Sequence, residues 1–215
     1  MVRPREFDEE VVLDSAVCQF WLHGYTATSV RDLAGGMGIT GASLYNAFGD
    51  KRSLFRRSLD RYLDQTLRER IARFEGNLAP RQAIIAFFEE IVERSISDKE
   101  RKGCLLVNSA LEVAPHDSEF QRIVAKALKQ LEAFFYRCVA AGQADGTIAK
   151  FQSAEDLAKL LLSVVLGIRV LARTRPDRAL LEGLLRPVYA LLGGLKSRRA
   201  GAAWRDCPQD NWQVR

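Results

Sequence analysis

The chain is poor in the residues that carry most metal and catalytic chemistry. Among its 215 residues are two histidines, His23 and His116, and four cysteines, Cys18, Cys104, Cys138 and Cys207. No Cys-x-x-Cys pair occurs and no cysteine stands at ligand spacing from a histidine, so no metal site is expected. The same poverty removes a Ser-His-Asp set. With no phosphate loop and no carboxylate pair at telling spacing, an enzyme reading has no support, and no cofactor is expected. No apolar run approaches the ~20 residues that span a bilayer. The charged N-terminus does not read as a signal peptide, and the expectation is a cytoplasmic protein without a membrane partner. A massed basic block is missing too. The chain is net +5, yet residues 1–60 hold seven Lys or Arg against eight Asp or Glu, a balance of −1. The cations are placed singly: Arg3 and Arg5, Arg31, then Lys51, Arg52, Arg56 and Arg57, while Glu6, Asp8, Glu9, Glu10 and Asp14 collect on the first helix.

What the chain does have is helical periodicity throughout. Hydrophobic residues make up 47%, enough for a core, and there is neither a strand signature nor an internal repeat, so an all-α fold is expected. The most informative stretch is residues 28–48, TSVRDLAGGMGITGASLYNAF. Val30, Leu33 and Ala34 fall at helical spacing, with Thr28 where an N-cap belongs and Asp32 in the first turn. Gly38 permits a tight turn, Ile39 follows as an apolar anchor, Thr40 is a second N-cap, and Leu44 and Phe48 point inward. The outward face is Gly41, Ala42, Ser43, Tyr45 and Asn46. Two short helices joined by a glycine turn, the second nearly bare on one side, are the pattern of a helix-turn-helix, whose second helix enters the major groove of DNA. An ordinary helical hairpin shares the glycine turn, but the flanks favour the DNA reader. Upstream, Val12, Leu13, Ala16, Val17, Phe20 and Trp21 form one stripe that ends at His23-Gly24. Downstream, Phe48-Gly49-Asp50-Lys51 closes one helix and opens another, with Asp50 as N-cap.

With these residues in place, the segment 7–55 resembles the DNA-binding domain of the TetR family of transcriptional repressors, through the strings FWLHGYTATSVRDLA and GITGASLYNAFGDKRSLF. The resemblance implies an N-terminal three-helix DNA-binding domain (1–49), a C-terminal helical ligand-binding and dimerisation domain (50–199) and a tail (200–215). It also implies a homodimer that binds a palindromic double-stranded DNA operator and leaves it when a small-molecule inducer binds. Carried over position by position, Thr40, Gly41, Ser43, Tyr45 and Asn46 match the recognition helix, Thr28 and Ser29 match phosphate contacts, and Lys51 matches the phosphate-binding lysine at the next helix N-terminus. Gly41 and Ala47 stand where many relatives carry longer side chains, so specificity leans on Thr40, Ser43, backbone approach at Gly41 and DNA shape. The alternative is a TetR-like interaction module without operator binding. Arg3 and Arg5 read either as a minor-groove arm or as a solvated terminus.

Further helices are predicted at 50–74, from 80 through 92, at 103–113, 118–141, 154–172 and 177–195, with a charged loop at 97–102. The last two are apolar round much of their circumference, and a helix with two apolar faces must bury both. By resemblance they pair with a second subunit, with Leu161, Val165, Ile168, Leu184, Val188, Leu191 and Leu195 as interface candidates. The resemblance also places a ligand cavity among the central helices. Phe88 and Phe134, with Phe87, Phe135 and Val107, are its apolar candidates, and Asn108, Glu112 and Arg169 its polar handles; aromatic stripes at this spacing are equally the mark of plain core. Arg169 interrupts an apolar run, where an unpaired charge is costly. It reads as the partner of an anionic ligand, of Glu112, or of an acid across a dimer. Cys104 opens a predicted helix behind Arg101 and Lys102, a placement that favours the thiolate. The string GCLLVNSALE resembles a TetR branch that includes repressors responding to reactive electrophiles. The other reading of Cys104 is a small buried hydrophobe, which also fits Cys18 and Cys138.

Overall fold

The structure, a computed structural model, describes residues 8–193. Arg3, Arg5, Leu195 and the tail 200–215 lie outside the described residues. In order, the elements are α1 (Glu9–His23), α2 (Val30–Gly36), α3 (Gly41–Phe48), α4 (Lys51–Leu63), a π-helical turn (Asp64–Arg68), α5 (Glu69–Asn77), α6 (Pro80–Ser97), α7 (Leu105–Glu112), α8 (Ser118–Ala144), α9 (Ala154–Thr174) and α10 (Arg178–Leu191). Among the described residues there is no strand, and no helix is long and apolar enough to cross a membrane. By internal packing the described residues divide into two units, with the boundary in sequence between Tyr62 and Leu63.

In the first unit, Asp8 caps α1 by accepting from the Glu10 and Val11 amides, and Gly24 at φ 85° ends it. The inward stripe of α1, Val12, Leu13, Ala16, Val17 and Phe20, is buried with Leu33, Ala34 and Met37 around α2, Leu44 and Phe48 of α3, and Leu54 and Phe55 of α4. Phe20 and Phe55 meet edge to face at 4.8 Å, a geometry that adds to their area burial. Two acids of α1 are engaged within the unit. Glu9 pairs with Arg57, Asp14 with Arg61, and Glu10 lies 3.8 Å from Arg61. These pairs tie α4 to α1, and by packing α4 belongs to this unit as far as Tyr62. Arg57 is therefore engaged by an acid of its own unit.

The second unit opens with the π-helical turn, which the smooth apolar spacing of 50–74 gave no reason to expect. Pro80 sits at the first position of α6, where its missing N–H costs nothing. Phe87, Phe88, Phe134 and Phe135 interlock with ring centroids 5.2–6.5 Å apart. All four are essentially inaccessible, so the aromatic stripes on α6 and α8 are a filled core. Across the same unit, Arg70 on α5 reaches Glu90 on α6 at 3.0 Å, with Arg73 and Arg94 on the same carboxylate. Burial alone would raise the Glu90 pKa; Arg70, Arg94 and Arg73 overcome it and hold the carboxyl below its usual value.

Candidate nucleic-acid interface and effector region

The turn between α2 and α3 is made by backbone geometry. Gly38 takes φ 65°, the left-handed region that favours glycine, and the Ile39 amide donates back to Ala34 O at 3.0 Å. Gly36 admits α1 closely: a Cβ there would lie 2.7 Å from the Gln19 amide nitrogen, and Ser15 Oγ donates to Gly36 O at 2.7 Å. Of the Gly35-Gly36 pair, only Gly36 is used where α1 and α2 touch; nothing lies within 4 Å of a Cβ on Gly35.

The cap of α2 differs from the sequence expectation. Ser29, not Thr28, is the N-cap, in a reciprocal capping box with Asp32: Ser29 Oγ accepts from the Asp32 amide and Asp32 Oδ2 accepts from the Ser29 amide. Thr28 is 1% exposed and donates to Gly24 O at 2.6 Å, because a chain leaving Gly24 must turn its polar groups onto itself before α2 begins. Hydrogen bonds from the Ser29 side chain and amide lower the Asp32 pKa. On α3, Thr40 is the N-cap: its Oγ1 accepts from the Ser43 amide at 3.1 Å and lies 2.9 Å from Ser43 Oγ. Buried Leu44 and Phe48 seat the helix. Ala42, Tyr45 and Asn46 are exposed, Tyr45 by 52%, and Gly41 and Ser43 are half-buried. No Cβ neighbour lies within 4 Å of Gly41. At the start of α4, Asp50 accepts from the Ser53 amide, which lowers its pKa. Lys51 lies over the Tyr25 ring at 4.4 Å and reaches Thr26 O at 3.4 Å. The first unit therefore presents on one helix face a pair of hydroxyls, a phenol and an amide, with an ammonium at the next helix start.

The second candidate region lies in the helical unit. Cys104 is half-buried and occupies the N-cap position of α7 without capping it through its side chain. The loop before it is held tightly. Arg101 has φ 54° and Gly103 φ 71°, the Gly103 amide donates to Asp98 Oδ2 at 2.9 Å, and a Cβ on Gly103 would lie 2.7 Å from the Arg173 side chain. Asn108, nearly buried, donates to Lys102 O at 3.0 Å and accepts from Arg173 Nη1 at 3.1 Å. Lys102 itself pairs with Glu100 at 2.6 Å. Arg169 donates to Ser95 Oγ at 3.3 Å, and Glu112 is not its partner. Burial pushes the Cys138 thiol up to about 12. Among the interface candidates, Leu161, Val165, Ile168 and Val188 are buried within the single chain, whereas Leu184 and Leu191 are half-buried. Periodicity showed that α9 has two apolar faces but not which one its own domain covers; the outward stripe is Leu160, Val164, Gly167 and Val170.

Residues 12–57 match the profile described as "Bacterial regulatory proteins, tetR family", and residues 80–187 match "Tetracyclin repressor-like, C-terminal domain". The chain is 34% identical to YezE of Bacillus subtilis (strain 168), an uncharacterized HTH-type transcriptional regulator, across 82% of this chain and 92% of YezE. The chain belongs to the TetR family. Another TetR-type relative, the HTH-type transcriptional repressor ComR of Escherichia coli (strain K12), is 30% identical across 85% of this chain and 86% of ComR. Among solved structures, a cysteine mutant of the TetR family regulator CifR, complexed with 26-bp double-strand operator DNA, has a TM-score of 0.75 at 34% identity and covers 88% of this chain and 97% of CifR. Against the TetR frame, the residues that sequence reasoning missed are Ser95, Arg173 and the Glu90 cluster. Ser95 is 74 positions from Arg169 and carries no motif, so only folding brings them together.

Proposed function

We propose that this TetR family member is a repressor that binds a palindromic operator as a homodimer and releases it in response to a small molecule or to modification of Cys104. One observation carries the reading: α3 is anchored by Leu44 and Phe48 and leaves Ala42, Tyr45 and Asn46 exposed beside the Thr40–Ser43 hydroxyl pair. In this reading Thr40, Gly41, Ser43, Tyr45 and Asn46 meet base edges or phosphates, Ser29 and Lys51 meet phosphates, and Thr28 shapes the approach from behind. Two copies set their recognition helices roughly 34–36 Å apart, one turn of B-DNA. The dimer forms through the outward stripes of α9 (Leu160, Val164, Gly167, Val170) and α10 (Leu184, Leu191). Kinship with the transcriptional repressor ComR, and with CifR in its complex with operator DNA, supports the assignment. Release requires only that the effector bind the low-affinity conformation better.

A gel shift with the DNA flanking the protein's own gene tests the reading. A sequence-specific shift is expected, weakened by Ser43→Ala and by Lys51→Ala with no loss of helical content. Absence of a specific shift at low salt, in a folded dimer, would favour an interaction module without operator. Full release by electrophiles from the Cys104→Ser variant would remove the cysteine branch alone.

A further inference from the structure

Arg169 stands in the C-terminal third of α9 with 9% of its surface exposed. A guanidinium has five N–H donors and no means of shedding its charge. Among the described residues its partner is one neutral hydroxyl, Ser95 Oγ at 3.3 Å, and no carboxylate comes within ion-pair distance. The same domain shows how a buried arginine is otherwise handled: Arg70, equally buried, has the buried Glu90 carboxylate at 3.0 Å. Ser95 lies in the last turn of α6, whose negative dipole end offsets about half an elementary charge. The remainder, and most of the donors, have no anion. Leaving a buried charge so served is costly, and an apolar residue of similar size would relieve it.

The surroundings say what kind of anion fits. One turn along α9, Arg173 points at α7 and also has a neutral partner, Asn108 Oδ1 at 3.1 Å; residues four apart share a helix face. The neighbouring turns are apolar: Ile91 and Val92 precede Ser95 on α6, and Val165 and Ile168 precede Arg169 on α9, all buried. With Arg173 held by Asn108, the planar fork of Arg169 beside these aliphatic turns suits a planar monoanion that accepts two parallel hydrogen bonds and carries a short apolar body.

We infer that Arg169 is the residue that reads the effector, and that the effector is a small carboxylate with a short aliphatic or aromatic body, its head on Arg169 beside Ser95. This deepens the proposed function and rests on its premise that the helical domain receives a small molecule.

Calorimetry and thermal shift on the full-length protein without DNA test the inference separately from operator binding. The probes are butyrate, hexanoate and benzoate, each against its amide, at matched ionic strength. Expected is saturable stabilisation by at least one carboxylate and none by the corresponding amide. Arg169→Met should lower that carboxylate's affinity by roughly 10- to 100-fold, while Arg169→Lys, which keeps the charge but not the fork, should lose less. If Arg169→Met does not fold, the contrast of acid with amide on the unaltered protein and the Arg169→Lys affinity still decide. No carboxylate response, equal responses to acid and amide, or unchanged affinity in Arg169→Met overturns the inference. So does conversion of dimer to monomer by Arg169→Met in sedimentation, which would make the missing anion a carboxylate of the second subunit. Failure of the operator shift with carboxylate binding intact would sink the repressor reading and leave this one standing.

Discussion

Glu90 illustrates how one side chain can hold together what separate helices bring. Its carboxylate accepts from Arg70 and Arg73 of α5 and pairs with Arg94 of its own helix. Removing one partner of a buried pair costs about 3–5 kcal/mol, because the other charge is left uncompensated. Glu90→Gln is therefore expected to lower unfolding free energy by about that much in a urea titration. The pH dependence has a definite sign. The folded pKa lies below the ordinary 4.5, so the contribution is complete above that value and is lost as the pH falls through the depressed folded value. The gap between the protein and its Glu90→Gln variant should close in acid; a gap independent of pH would show that Glu90 acts by shape alone. Such a cluster is invisible in sequence, since Arg70, Arg73, Glu90 and Arg94 read individually as solvated charges at helical spacing. The hydroxyls before α2 were partly legible. Thr28 and Ser29 both suit a cap, and only the turn at Gly24 decides that Ser29 takes it.

Helices and turns were far more legible, because a repeat of apolar residues survives without any knowledge of partners. The turn of the helix-turn-helix is the clearest case: Gly38 was required by the crowding of two short helices and adopts φ 65°. Nothing lies within 4 Å of where its Cβ would be, so Gly38→Ala tests backbone strain alone. It should destabilise by about 1–2 kcal/mol and lower operator affinity through the setting of α3, measured by thermal unfolding and gel shift together. Full stability would mean that the turn relaxes to another conformation. The π-helical turn at Asp64–Arg68 was not legible. Leu63, Leu67 and Phe74 continue a helical apolar repeat across it, and the sequence there carries no breaker such as Gly or Pro; Leu67 and Arg70 are both buried. Likewise, Cys104 could be placed at a helix start, but not that Arg173 lies over Gly103 behind it.

Charge and symmetry decide how the protein as a dimer would use these parts. Residues 1–60 carry a balance of −1, and Arg57 and Arg61 are engaged by Glu9 and Asp14 of α1; in the proposed reading Lys51 is one of the placed cations that meet phosphate. In the proposed dimer, few contacts per copy would make affinity depend on joining two half-sites, so an interface change should act on DNA at a distance. Gly167→Arg, in the outward stripe of α9 with no neighbour within 4 Å of its Cβ, should yield a folded monomer in sedimentation with little operator affinity. Salt then reports the number of phosphates. Each neutralised phosphate steepens the fall of log K against log salt by about 0.9. Lys51→Ala removes one contact per copy, and the slope for a dimer should flatten by about 2, with affinity lost equally on operator and random duplex. Ser43→Ala should instead leave the slope unchanged and weaken the operator alone. If Lys51→Ala changes affinity without changing the slope, then the lysine acts through Tyr25 and Thr26, which it already touches, and its role is to tie the start of α4 to the segment before α2 and not to meet the phosphate.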